Sequence, residues 1–317
     1  SQRGLKTLVL EARNRVGGRV FTSRFSGHKV DLGGNWTYWG HPNMWSELKR
    51  YGFTLEREEG TYYAEELLWL ADGKLRRGGP QEYDALFQAP FEEYCQDARQ
   101  AFPRPFETSF SDSFSQLDHL SLQDRLDQMQ NLSQVQKDLV SSQLASACSN
   151  SLKNASYVQM LQWWAQHYFS YGSYFDMVCH HIKGGSSALA EAIADDSKAR
   201  IELGKTVVSV QHTKEKAMVT TSSGDTISTL AVIVAVPVNV LASIDFTPGL
   251  APKKIAMSKE GHAGSGVKIY MRLSGKYKKL NAMAPAESKL SWIYTVHQSK
   301  DSSVFAAFGP DASRLDV

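Results

Sequence analysis

The chain has 317 residues, with 35 lysines and arginines against 33 aspartates and glutamates, which gives a formal net charge of +2. This length allows two domains or one large one, and the 42% of hydrophobic and 21% of charged residues argue against a disordered, collagen-like or coiled-coil protein. The balanced charge offers no electrostatic basis for binding nucleic acid. The longest apolar stretch, residues 230–244, is shorter than the roughly 20 residues that a membrane-spanning helix needs.

The N-terminal part of the sequence predicts two strand regions and a helix. A short apolar segment over residues 5–10 predicts a buried strand that ends at Glu11. A turn rich in arginine and glycine follows, and residues 20–32 then predict a hairpin with a Ser-Gly turn. Helical periodicity over residues 43–51 predicts a helix with Gly52 as its C-cap.

Residues 54–182 are rich in aromatic residues, glutamine, aspartate and serine, and they are predicted to be largely helical. Their helices are predicted over residues 122–129, 135–148 and 157–168. After a Gly-Gly-Ser-Ser segment, a helix is predicted over residues 188–193, and strands over 201–203, 207–212, 217–221, 226–228, 231–236, 266–273, 290–298 and 304–308. This order predicts two domains between which the chain crosses more than once.

The cysteines and histidines predict neither a disulfide framework nor a metal site. Cys95, Cys148 and Cys179 are odd in number and widely spaced, so we expect reduced thiols in an intracellular protein. Cys179, His180 and His181 have no partner cluster at ligand spacing, and we interpret them as structural residues near the end of a helix. No Ser/His/Asp or Cys/His arrangement is marked by a motif, so nucleophilic catalysis has no support.

The turn after the first strand carries the residues of a nucleotide site. In a dinucleotide-binding fold, an acidic residue at the end of a strand binds a ribose hydroxyl, and Glu11 has this position. Gly17 and Gly18 let backbone N–H groups approach a pyrophosphate, and Arg19 adds positive charge beside them. An ordinary surface turn explains a bare Gly-Gly-Arg, but it accounts less well for the preceding strand and acid. The turn therefore predicts a nucleotide cofactor.

Residues 15–22, which read Arg-x-Gly-Gly-Arg-x-x-Thr, resemble the motif that follows the second strand in flavin-containing amine oxidases. Residues 31–36 (Asp-Leu-Gly-Gly-Asn-Trp), 206–210 and 232–250 are similar to further segments of that family. The resemblance covers nearly the whole chain, and it is closest to fungal monoamine oxidases through residues 161–165 (Leu-Gln-Trp-Trp-Ala).

The resemblance implies an α/β fold, α+β overall, in which an FAD-binding Rossmann-like domain of the glutathione-reductase type interleaves with a mixed sheet-plus-helix substrate domain. It assigns residues 1–55 and 183–262 to the FAD-binding domain, and residues 56–182 and 263–317 to the substrate domain. The implied cofactor is FAD. The residues that would contact it are Glu11, Ala12, Arg13, Gly17, Gly18, Arg19, Gly33, Gly34, Asn35, Trp36 and Val207.

The resemblance also implies a catalytic residue and a substrate pocket. Lys268 aligns with a lysine that, in the family, lies near flavin N5 and contacts it through a water. Its positive charge would then act at the place where reduced flavin reacts with dioxygen. On spacing alone, Lys268 would be a solvated strand lysine. The residues implied for an apolar amine pocket are Trp163, Trp164, Tyr174 and Val178. Adjacent tryptophans on one helix point in different directions, so we expect at least one of them in the ordinary core.

Two family segments have no counterpart in the sequence. The resemblance implies a first strand and Gly-x-Gly-x-x-Gly loop about 20 residues before Glu11, but 10 residues precede it. A second flavin-binding stretch and an aromatic pair around the amine would follow Val317. The sequence thus resembles the central part of an amine oxidase, and we expect this piece alone to be inactive.

The expected activity is the FAD-dependent oxidative deamination of an amine, with dioxygen as the electron acceptor. The alternatives are a polyamine, L-amino-acid or lysine-demethylating oxidase on the same scaffold, or a truncated remnant without catalysis. The expected partners are a small-molecule amine and dioxygen, with no nucleic acid, no metal and no membrane segment in this chain; a homo-oligomer is left open. The expected location is intracellular, either cytoplasmic or peroxisomal.

Overall fold

The structure is a computed structural model that describes residues 4–316. Its strands are β1 (Leu8–Glu11), β2 (Thr22–Phe25), β3 (His28–Asp31), β4 (Leu55–Arg57), β5 (Glu66–Ala71), β6 (Lys74–Gly78), β7 (His180–Ile182), β8 (Arg200–Leu203), β9 (Val207–His212), β10 (Ala217–Thr221), β11 (Thr226–Thr229), β12 (Asp245–Thr247), β13 (Val267–Ser274), β14 (Leu280–Met283), β15 (Trp292–Gln298) and β16 (Ser302–Gly309). Its helices are α1 (Pro42–Arg50), α2 (Pro80–Tyr94), α3 (Ala98–Ala101), α4 (Leu122–Gln128), α5 (Gln134–Cys148), α6 (Tyr157–Gln166), α7 (Tyr171–Asp176), α8 (Ser186–Asp196) and α9 (Pro252–Glu260).

The chain forms two compact units. The smaller unit comprises Ser1–Thr22 and Ser186–His262, and the larger comprises Ser23–Gly185 and Ala263–Val317. Residues 23–55 thus group with the larger unit. The domain division that the family resemblance implies assigns them instead to the FAD-binding domain. That division stays a prediction.

The smaller unit contains two sheets. Strand β1 pairs in parallel with β8. A second sheet has the order β11-β10-β9-β12, in which β12 is parallel to β9 and the other pairs are antiparallel. Its small core contains the buried side chains Val210, Val219 and Ile244.

The larger unit is built on a six-stranded sheet with the order β13-β16-β15-β14-β5-β6. Helix α5 packs against β5, β14 and β16, and α2 packs against α5. A Ser133–Gln136 capping box begins α5, because it satisfies backbone N–H groups that have no partner within the helix. Leu144 of α5 is fully buried in the aromatic core beneath the sheet.

Two expectations for the smaller unit were wrong. The predicted strand over residues 231–236 has no regular secondary structure, and Ile233 within it is 92% exposed. The strand β1 was expected to be buried, but Leu8 and Val9 are 36% and 41% exposed. The physical reason is pairing: a strand needs neighbours for its backbone hydrogen bonds, and in the described part of the chain β1 pairs only with β8 while residues 231–236 pair with no strand.

The region that was predicted to be largely helical also contains the strands β4 to β7. The hairpin β5–β6 turns at Asp72 and Gly73, which both have positive φ angles of 52° and 66°. An Asp-Gly pair between apolar runs is a strong hairpin signal, so this strand pair could have been found from the sequence. Among residues 4–316, no helix combines the length and the apolar character that crossing a membrane requires.

Candidate functional site

The glycine turn of the smaller unit is fixed by its own side chains. Glu11 lies at the end of β1, and its Oε1 accepts a hydrogen bond from the backbone N–H of Arg13 at 2.8 Å. The Arg15 guanidinium donates to the carbonyl oxygens of Val20 at 2.9 Å and Gly18 at 2.9 Å. Arg15 therefore holds the turn together from within. The neighbouring side chains of Ala12 and Arg13 are exposed.

The two glycines of this turn have different surroundings. Gly17 has φ +99°, and a Cβ there would lie 3.0 Å from the carbonyl oxygen of Val20 and 3.4 Å from the Cβ of Ala190 in α8. Gly18 has φ +53°, and a Cβ there would meet no atom within 4 Å. One glycine is thus required by packing, whereas the other faces open space.

The turn fits the phosphate portion of a nucleotide. The open side of Gly18 leaves the backbone approachable, and Arg19 is exposed, with no hydrogen bond or ion pair to any residue within 4–316. A free guanidinium beside an unobstructed glycine backbone is a donor set suited to an anion. Val207, the other predicted contact in this unit, is half-buried and begins β9.

In the larger unit, Lys268 is half-buried among aromatic rings and a backbone oxygen. Its Nζ donates to the backbone oxygen of Asp31 at 2.6 Å, and the Tyr270 hydroxyl donates to the same oxygen at 2.7 Å. The two side chains lie on one face of β13, as residues i and i+2 of a strand do. The Nζ also lies 5.6 Å from the ring centre of Trp36 and 5.4 Å from that of Phe308. Lys268 is therefore not a solvated strand lysine.

Burial lowers the pKa of Lys268 to about 8, although the charges of Asp31 and Glu58 partly oppose this effect. The same burial raises the pKa of Tyr270, so its hydroxyl stays protonated and continues to donate. An amine with a pKa near neutrality can hold or release a proton under ordinary conditions. The surrounding aromatic rings favour the protonated form through cation–π attraction.

A second group of polar side chains surrounds Glu58, which is 3% exposed. Its Oε1 accepts a hydrogen bond from the Asn35 side-chain amide at 2.8 Å and lies 3.1 Å from His181 Nδ1. Burial lowers the pKa of His181, but Glu58, Glu56 and Asp31 outweigh burial and raise the pKa overall. Sequence reasoning missed Glu58, because the run of charges around it reads as a solvated face.

His181 was interpreted as a structural residue near the end of a helix, but it lies in β7 and is part of this charged group. Its backbone forms a bridge with Trp36, and the Thr37 N–H donates to the oxygen of His180 at 3.0 Å. The strand β7 therefore lies between the segment that contains Asn35 and the strand β4 that precedes Glu58. Within residues 4–316, no group of His, Cys, Asp and Glu side chains is arranged to hold a metal ion.

Gly33 and Gly34 lie between Asp31 and Asn35, so the two polar groups hold the segment at both ends. Gly33 is half-buried and Gly34 is exposed. The indole Nε1 of Trp36 is buried and has no hydrogen-bond partner within residues 4–316. A buried donor without a partner is costly, and a polar group of a bound cofactor or a water is the kind of partner that it lacks.

The predicted substrate residues lie in the aromatic core of the larger unit. Trp164 is 4% exposed and Tyr174 is fully buried, with their ring centres 5.7 Å apart. Trp163 and Val178 are half-buried and pack against the same core, as Trp36 also does. The different burial of the two tryptophans agrees with the expectation that they face different directions. Their role in a pocket stays a prediction.

The larger unit also has an open surface groove of about 860 Å³. Its lining is mostly charged, and it includes none of the predicted site residues.

The sequence profile described as flavin containing amine oxidoreductase matches residues 1–315. The chain belongs to this family. It is 33% identical to a pseudooxynicotine dehydrogenase of a Pseudomonas species, over 100% of this chain and 64% of that protein. It is 31% identical to a nicotine dehydrogenase of Pseudomonas putida, over 92% of this chain and 61% of that protein. The chain thus spans less than two thirds of the length of these relatives.

A solved structure of wild-type putrescine oxidase bound to putrescine has a TM-score of 0.82 and covers 99% of this chain and 72% of its own. At 20% identity, this similarity concerns the fold. The family and the α/β fold class predicted from the sequence are confirmed, and so is the flavin cofactor that defines the family. The special likeness to fungal monoamine oxidases stays a prediction, as do the individual site residues.

Proposed function

We propose that the protein that carries this chain catalyses the FAD-dependent oxidation of an amine. When bound, FAD would take a hydride equivalent from the carbon next to the amine nitrogen and pass the electrons to dioxygen, which gives hydrogen peroxide. The resulting imine reacts with water to give an aldehyde and the released amine or ammonia. The observation that carries the proposal is the half-buried Lys268, which donates to the Asp31 oxygen at the start of the Gly33–Gly34 segment, in a chain of this family.

The chain's own residues have separate tasks in this proposal. Glu11 would accept a hydrogen bond from a ribose hydroxyl, while the Gly18 backbone and Arg19 would bind the pyrophosphate. Lys268 would orient a water and supply positive charge where dioxygen is reduced. The aromatic residues Trp163 and Tyr174 would exclude water and favour the deprotonated amine, because desolvation lowers the pKa of an ammonium group.

The first substrates to test are nicotine and pseudooxynicotine, because the names of two relatives refer to them. Putrescine tests the polyamine alternative. An L-amino acid tests the amino-acid alternative, which we include because some relatives are named L-amino-acid oxidase. The natural protein would be purified with FAD and mixed anaerobically with each compound. We expect one amine to bleach the flavin absorbance, and air to restore it. Bleaching by none of these compounds would contradict the proposal.

The alternative of a remnant without catalysis needs a separate measurement. The 317-residue chain would be passed through gel filtration with FAD, and retained stoichiometric flavin would exclude that alternative. We further infer an intracellular location, either cytoplasmic or peroxisomal, which fluorescence microscopy of the tagged natural protein tests. Light scattering of the same protein tests whether it forms a homo-oligomer.

A further inference from the structure

The segment from Asp31 to Trp36 is held at two points. At its start, Lys268 and Tyr270 both donate to the Asp31 backbone oxygen. At its end, the Asn35 amide donates to Glu58. Because glycines 33 and 34 lie between these points and restrain the backbone little, the position of the segment depends on the two anchors.

Glu58 is an unusual anchor, because it is a carboxylate with almost no exposure to water. A buried charge is costly unless nearby groups compensate for it. The compensation comes from the Asn35 amide at 2.8 Å and from His181 at 3.1 Å. Lys268 lies against the same segment, because its Nζ is 5.6 Å from the ring centre of Trp36, the residue after Asn35. The charge of Glu58 accordingly opposes the lowering of the Lys268 pKa by burial.

The charged groups around Lys268 come from several elements and balance one another. Among the groups shielded from water, Asp31 and Glu58 are acidic and His181 and Lys268 are basic, so these four balance when both basic side chains carry a proton. Glu56 also lies 3.7 Å from His181, but its side chain is 47% exposed to water. Tyr270 and the fully buried Tyr294 stay neutral, because burial raises the pKa of both hydroxyls. Removing one acidic charge therefore leaves an excess of positive charge in a region with little water.

We propose that Glu58 is a positioning residue for the flavin-binding segment: its carboxylate fixes Asn35 and keeps Lys268 charged on the Asp31 oxygen. This inference rests on the proposed function in one respect, namely that the segment from Asp31 to Trp36 would contact the flavin. The hydrogen bond and the charge are separate contributions, and two substitutions separate them. Glu58→Gln keeps an acceptor for Asn35 but removes the charge. Glu58→Asp keeps the charge but withdraws the carboxylate by one methylene.

The charge is tested on the natural protein before FAD is added. Lysines labelled with ¹³C at Cε would be titrated by NMR, and the signal that disappears in Lys268→Met identifies Lys268. We expect Glu58→Gln to lower the pKa of Lys268 by about half a pH unit or more, because an attractive charge is lost. The matched control is Glu56→Gln. Glu56 is 3.7 Å from His181, but its side chain is 47% exposed, so this change should leave the titration of Lys268 unchanged.

The hydrogen bond is tested by FAD binding to the natural protein, measured by titration calorimetry. We expect Glu58→Asp to weaken binding about tenfold, because the Asn35 amide loses a charged acceptor, while the titration of Lys268 stays close to that of the wild type. An unchanged titration in Glu58→Gln, or an equal shift in Glu56→Gln, would overturn the electrostatic part. Wild-type FAD affinity in Glu58→Asp would overturn the positional part.

The outcomes also separate this inference from the proposed function. If no amine bleaches the flavin, but Lys268 titrates as expected in both glutamine variants and Glu58→Asp weakens FAD binding, the role of Glu58 stands and the activity is wrong. If Glu58→Gln does not fold, Glu58→Asp decides the positional part through FAD binding. Glu58→Met, which also lacks the charge, then replaces Glu58→Gln in the titration of Lys268.

Discussion

The two glycines of the nucleotide turn, Gly17 and Gly18, provide a direct test, because they are adjacent but differ in the space around a new Cβ. Alanine at position 17 would have to adopt a φ near +99°, and residues with a Cβ rarely adopt such an angle. The new Cβ would also lie 3.0 Å from the Val20 carbonyl oxygen. That oxygen accepts a hydrogen bond from Arg15, so it cannot move away without weakening this contact. Alanine at position 18 would have a φ of +53° and open space around it.

The magnitudes follow from these two environments. A positive φ costs a residue with a Cβ about 1–2 kcal/mol, and forcing a methyl group into filled space adds about 1–3 kcal/mol. We therefore expect Gly17→Ala to lower the free energy of unfolding by about 2–5 kcal/mol. Gly18→Ala should lower it by about 1–2 kcal/mol, because it has the backbone cost alone. Its methyl group would, however, stand where we propose that the pyrophosphate binds.

The assay is urea denaturation followed by circular dichroism, combined with FAD titration of each folded variant. We expect the lower unfolding midpoint in Gly17→Ala and the larger loss of FAD affinity, relative to stability, in Gly18→Ala. Equal destabilisation by the two substitutions would show that the contact with Val20 is unimportant. Unchanged FAD affinity in Gly18→Ala would show that the open side of the turn is not the phosphate site.

Three further predictions concern the larger unit. Burial lowers the pKa of Lys268 from 10.5 to about 8, so between these pH values the unfolded chain binds a proton that the folded chain does not. The free energy of unfolding of the wild type should therefore rise with pH over this range, relative to that of Lys268→Met, by up to about 3 kcal/mol. Urea denaturation at several pH values measures this rise. Tyr270→Phe removes one donor to Asp31 and should cost about 1 kcal/mol in the same assay at pH 7. Leu144→Ala empties a fully buried site and should cost about 2–5 kcal/mol, seen as a lower thermal midpoint.

Each of these predictions has an outcome that contradicts it. Parallel stability curves for the wild type and Lys268→Met between pH 8 and 10 would mean that the lysine is solvated. Wild-type stability in Tyr270→Phe would mean that the shared acceptor contributes nothing. A loss below 1 kcal/mol in Leu144→Ala would mean that α5 does not pack tightly against the sheet.

Several elements could be predicted because the information is local. The strand β9 begins and ends where the sequence predicted it, at Val207–His212. Helix α5 begins one residue before the predicted start and ends where predicted, because Ser133 caps its first turn and Ser149 takes a left-handed conformation after its last. The turn between β2 and β3 has positive φ angles at Ser26 and Gly27, as a tight hairpin requires.

The sequence by itself determined the family, the glycine turn and the position of Lys268 on one face of a strand, because each depends on residue types at short spacing. Only the tertiary structure joined Lys268 to Asp31, which lies 237 residues earlier, and enclosed Glu58 beside His181. Local preferences for φ and ψ are encoded by neighbouring residues. The strands that pack around a carboxylate decide whether it contacts water or a histidine. A run of charged residues in the sequence does not reveal that packing.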